Sequence, residues 1–132
     1  MSNNNLAMGW AALAGIVLLL AGAVGSLNTP LVGTGENALL RTDTVHNLVH
    51  LLTGLLALTI AFGLKGQQLV NGVIGLGVLY VIIFVAVLAS PSLFGLFSVA
   101  ANAPIHVVHA TVAVVSLGVG FMARRDSAAM AR

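Results

Sequence analysis

Cysteine is missing altogether from the 132 residues, which excludes disulfides and thiolate metal sites and leaves the redox compartment unmarked. Charge is nearly as scarce. Lys, Arg, Asp and Glu make up 6% of the chain, against about 25% in an ordinary soluble domain. Five basic and three acidic residues are too few for a nucleic-acid footprint, so no nucleic-acid partner is expected. A nucleophile-and-base arrangement is also lacking, and the chain is not read as an enzyme. The stretch GTGEN at 33–37 has loop glycines but no following Lys-Ser/Thr and no βαβ setting, so its glycines make turns and not a phosphate cradle.

What is present is hydrophobic: 59% of the residues, gathered in runs long enough to cross a bilayer as helix. The expected spans run from about Leu6 to Leu27, Thr44 to Leu64, Leu69 to Ala89 and Ala103 to Ala123, at about 20 residues each. The fold class expected is therefore all-α, an integral membrane four-helix bundle forming a single domain over 1–132. KGQQ, the only break between the second and third spans, predicts that these are antiparallel neighbours. The last connection, SPSLFGLFSVAAN, carries Phe94 and Phe97 three apart, as on a short helix lying in the interface; an irregular loop packed on the bundle is the alternative.

Lys65, Arg124, Arg125 and Arg132 fall on one side of these spans and only Arg41 on the other, which predicts both termini cytoplasmic in a multi-pass protein of the cell (inner) membrane. Trp10 then sits at the inner interface. MSNNN lacks the basic n-region of a cleaved signal, so the first span is expected to be retained.

Aligning His50 with His109 sets DTVHNLVHLLTGLLA over NAPIHVVHATVAVVS and places Asp43 opposite Asn102, both of them helix N-capping types. The chain thus reads as two duplicated two-helix halves, although the first and third spans share only scattered glycines. Each returning helix carries its aligned histidine about two turns, roughly 10 Å, from its start. His46, His50, Gly54, Ala57 and Ala61 fall on one stripe of the second span, and His106, His109, Ala113, Ser116 and Gly120 on one stripe of the fourth. Small residues mark the face on which membrane helices pack, so the histidines are predicted to point inward. The glycines of AGAVG and GVIGLG are read the same way, and Tyr80, mid-span, is expected to bond Ser116 or a backbone carbonyl.

Asn47, His50 and Gly54 form an N-x-x-H-x-x-x-G stretch opening the second span, and Asn102 and His109 stand in corresponding places at the fourth. On these residues the chain resembles a bacterial family of small four-span membrane proteins known as a domain of unknown function. His106 stands where a second N-x-x-H would have asparagine. The resemblance implies four helices and a membrane, and no chemistry.

Inward histidines have three readings. They satisfy loop carbonyls or the facing helix; they bind zinc or copper, since imidazole is the commonest transition-metal ligand; or His50 and His109 hold a b-type haem, with Gly54 making room and Asp43, Asn47 or Asn102 orienting a ring from behind. A proton relay lacks carboxylates within the spans. The reading favoured by sequence is a non-enzymatic structural or accessory membrane subunit without a cofactor. Its alternatives are a haem- or metal-binding protein and, third, an oligomeric channel or transporter. The partners expected are the lipid bilayer and either other membrane subunits or further copies of the chain.

Overall fold

The computed structural model describes residues 2–90, 92 and 101–130. Helix α1 spans Asn3–Ser26, α2 Thr44–Gly63, α3 Gly66–Ala89 and α4 Ala103–Met130. All four are long and apolar enough to cross a membrane. The helices overrun the apolar runs: α1 begins before Leu6, α3 before Leu69, and α4 continues past Ala123. Hydropathy locates the oily stretch, whereas backbone hydrogen bonding carries the helix on into its polar ends. The Phe94 and Phe97 segment lies outside the described residues.

Three of the four helix starts are chemically marked; at α3 no side chain caps the first turn. The Ser2 hydroxyl accepts from the Asn5 amide at 3.2 Å, and Asp43 Oδ1 accepts from the His46 amide at 2.8 Å, each satisfying a donor that the first turn leaves open. Pro104 sits in the first turn of α4, where a missing N–H costs nothing.

After α1 the chain reverses at Asn28, whose φ of 56° lies in the left-handed region that asparagine tolerates. Its Oδ1 accepts from the Thr34 amide at 2.8 Å and folds the loop back on itself. There a parallel bridge joins β1 (Val32–Gly33) to β2 (Leu40–Arg41); these are the only strands among the described residues. Asn102 ties this loop to α4. Its Oδ1 accepts from the amides of Arg41 at 3.2 Å and Ile105 at 3.4 Å, and its Nδ2 donates to the carbonyl oxygens of Ala38 and Leu39.

The closest packing is α1 on α2 and α3 on α4; α2 and α3 meet at few points despite the short turn between them. The KGQQ turn thus joins α2 and α3 without making them a tightly packed pair, and glycine placement explains it. A Cβ at Gly54 would lie 2.8 Å from the Leu19 amide nitrogen, and one at Gly15 2.9 Å from the Gly54 carbonyl oxygen, so α1 and α2 touch backbone to backbone. Gly77 and Gly120 bring α3 and α4 together likewise, against Leu117 and Ile74. Between α2 and α3, Gly72 meets only the side chains of Ile60 and Leu64. Close approach without Cβ atoms is what lets apolar helices associate where water is absent.

The core is made of small and branched residues, Ala7, Ala11, Ala57, Val70, Val73 and Leu76 among them. Large side chains such as Leu20, Leu52, Phe62 and Ile82 point outward, an arrangement that matches an apolar solvent on the outside.

Candidate metal centre

At the end of the bundle that carries the Asn28–Asp43 connection, three imidazoles converge. The cap at Asp43 sets the phase of α2 so that His46 and His50, one turn apart, both face inward; His109 comes from α4. Their exposures are 2%, 1% and 1%. Ring centroids lie 4.5 Å apart for His46 and His50, 5.2 Å for His46 and His109, and 5.9 Å for His50 and His109. One nitrogen from each ring falls within 4.8 Å of the others.

Two details define the chemistry. His46 Nε2 and His109 Nε2 are 3.2 Å apart, and neither ring nitrogen of His50, nor Nδ1 of His109, has a hydrogen-bond partner. Buried polar groups in folded proteins are almost always paired, because an unpaired one costs about 1–3 kcal/mol. One nitrogen from each of the three buried rings can therefore serve as an acceptor toward a shared ion.

His106 stands apart. It is only partly buried and packs edge-on against Phe84, centroids 6.2 Å apart. An α-helix advances 100° per residue, so a partner four positions before His109 shares its face better than one three before. That position is Ile105, fully buried. The four-imidazole arrangement open to the sequence is therefore not assembled; the fold brings together three.

The residues expected behind the rings also make backbone and loop contacts. Asp43 holds the His46 amide and Asn102 clamps the loop. Asn47 lies 4% exposed with its side chain in the space that a Cβ of Gly25 would need. Gly54, Ala57, Ala61, Ala113, Ser116 and Gly120 are all buried.

Tyr80 is fully buried with its ring against His109. Its hydroxyl lies 2.7 Å from Thr53 Oγ1, and Thr53 Oγ1 donates to the Val49 carbonyl oxygen at 2.7 Å, so Tyr80 is the donor to Thr53. Ser116, the partner expected for Tyr80, instead accepts from Trp10 Nε1 at 2.8 Å. Both pairs join different helices, a relation that no local sequence signal encodes.

The donor set can be tested against the candidate groups. Zinc–imidazole bonds of about 2.0–2.1 Å at a tetrahedral angle put two ligand nitrogens roughly 3.3 Å apart, close to the 3.2 Å between His46 and His109. A haem does not fit. Its axial nitrogens face each other across the iron, roughly 4 Å apart with a macrocycle between, whereas the His46 ring wedges against both His50 and His109. The adjoining cavity, about 140 Å³, is also well below the several hundred Å³ of a site for so large a group. No protein-family model, curated protein or solved structure matches this chain.

Proposed function

We propose that this chain is a multi-pass protein of the cell (inner) membrane that binds one transition metal ion, zinc or copper, through His46, His50 and His109. The observation that carries the reading is the convergence of three buried imidazoles with both nitrogens of His50 unpartnered. All-imidazole sets suit both metals. With both termini cytoplasmic, as the basic residues imply, the ion lies near the outer face. The two halves are read as a duplication, supported by a burial register that repeats from α1 to α3 and from α2 to α4. The role is binding and not catalysis, in a protein that stands alone or beside a larger membrane subunit.

One observation favours a second reading, in which the histidines only hold the helices together: the His46 to His109 contact is also a good hydrogen bond between neutral rings.

Metal analysis of untagged protein decides between them. One equivalent of zinc or copper surviving chelator washes is expected, abolished by alanine at His46, His50 or His109 and kept in His106→Ala. Metal-free native protein that stays metal-free after incubation with either ion would sink the reading. Orientation is tested separately: a cysteine placed at Thr34 should react with an impermeant reagent added to intact cells and one at Gln67 should not.

A further inference from the structure

The cavity of about 140 Å³ beside the histidines is bounded by His46, His50 and His109 on one side and by Val49, Tyr80, Ile82, Ile83, Ala86 and Val87 on the other. It occupies the gap between α2 and α3, the two consecutive helices that pack least closely. Resting on the metal reading above, we infer that the ion keeps one coordination position open to this cavity, and that the position takes a small uncharged ligand arriving sideways from the bilayer.

The open position follows from the ligand count. Zinc and copper in such sites take a fourth donor, and a site with three protein ligands leaves that place to water or an exogenous molecule. Among the described residues no fourth His, Asp or Glu joins the cluster. His106 is turned toward Phe84, and the Tyr80 hydroxyl is engaged by Thr53. The vacancy therefore faces the cavity, the free space that all three rings border.

The class of ligand follows from the walls. Apart from the imidazoles and the tyrosine ring, every lining residue is aliphatic, so a charged molecule would lose its hydration with nothing in return. A volume of this size, at about 30 Å³ for each water-sized molecule, suits diatomic or triatomic molecules and is too small to enclose a whole lipid or quinone.

The route follows from exposure. Ile82 is 60% exposed, and Val49, Ile83 and Ala86 are half-buried, so the cavity reaches the helix surface that faces lipid. Apolar gases partition into that phase, and the sparse α2–α3 seam is their way in.

Carbon monoxide on copper(I) tests this, because it is neutral, small and has an infrared stretch that reports copper coordination. Full-length protein in lipid nanodiscs, loaded with copper(I), is expected to bind one carbon monoxide per copper. Ala86→Phe, which fills the cavity, and Ile82→Trp, which covers its rim, should lose the carbonyl band while retaining copper. Val78→Trp, on the lipid face of the same helix and away from the cavity, should keep both. Should Ala86→Phe fail to hold copper, Ile82→Trp decides alone, since its side chain lies at the surface. Copper without a carbonyl band in the native protein overturns this inference and leaves the metal reading standing. A band undiminished in the copper-bound variants, or lost equally in Val78→Trp, overturns the lateral route. Failure of the native protein to bind copper(I) overturns this inference, and failure to bind zinc as well overturns the metal reading with it.

Discussion

The α1–α2 half and the α3–α4 half bury many corresponding positions and use them differently. At one constant offset Ala7, Ala11, Ala14, Gly15, Leu18 and Gly25 of α1 fall on Leu69, Val73, Leu76, Gly77, Tyr80 and Val87 of α3, all buried. With His50 set on His109, buried Gly54, Ala57 and Ala61 fall on buried Ala113, Ser116 and Gly120. The contacts follow: Gly15 packs against Leu58, and Gly77 against the corresponding Leu117. Against this shared frame the chemistry diverges. His46 has Ile105 as counterpart, Asn47 has His106, and Leu18 has Tyr80. One half contributes two imidazoles and the other one, whereas a faithful repeat, on the duplication proposed above, would supply two from each. The two helices carry His50 and His109 at corresponding positions, and isoleucine at 105, where α2 has His46, leaves the set at three imidazoles.

Removing that divergence should have the largest effect. His46→Ile makes the first half copy the second and leaves two imidazoles. Metal affinity should fall by more than the roughly 100-fold seen on losing an outer-shell partner, as read by chelator competition. The converse, Ile105→His, supplies a fourth imidazole; affinity should rise and grow more pH-sensitive, because every added ligand must shed its proton to bind.

Packing gives the next largest difference. Gly54→Leu pushes side-chain atoms into the α1 backbone at Leu19 and should cost about 3 kcal/mol, at the upper end for overpacking. Its counterpart already carries a methyl group, so Ala113→Gly should cost only about 1 kcal/mol. Unfolding in mild detergent measures both, and equal losses would argue that the halves do not pack alike.

The smallest difference lies in the polar pairs that have no equivalent across the halves. Tyr80→Phe removes a buried hydrogen bond to Thr53 and should cost about 1 kcal/mol, whereas the double change with Thr53→Val should cost little more, because the Thr53 oxygen is then no longer left as an unpaired acceptor. A full additive loss in the double variant would show that the two hydroxyls do not bond each other.

How much of this was legible beforehand varies with range. The four helices were, since each is an apolar run of membrane-spanning length, and so was the cap at Asp43, which is set by its immediate neighbours. The inward face of α2 followed from its small-residue stripe. Partner choice among helices did not follow, because it depends on which glycines of α1 meet which of α2, and the short KGQQ turn joins α2 and α3 without making them a tightly packed pair. His106 and His109 looked equivalent because spacings of three and four both keep roughly to one side of a helix. Only the neighbouring Ile105, buried in the place that pairs with His46, separates them. The partners of Tyr80 and Trp10 lie on other helices, beyond anything that periodicity registers.

Asn102, holding Arg41, Ala38 and Leu39 from across the loop, bears on the order in which the molecule comes together. Contacts within each helical hairpin join segments near in sequence and form early, whereas the His46–His109 pair spans 63 positions and must await docking of the second hairpin on the first. The asparagine latches that docking at the loop end, directly above the histidines. On the metal reading proposed above, ion capture would be the closing event of folding: no single hairpin owns all three imidazoles, so a bound ion would certify that both are made and correctly joined.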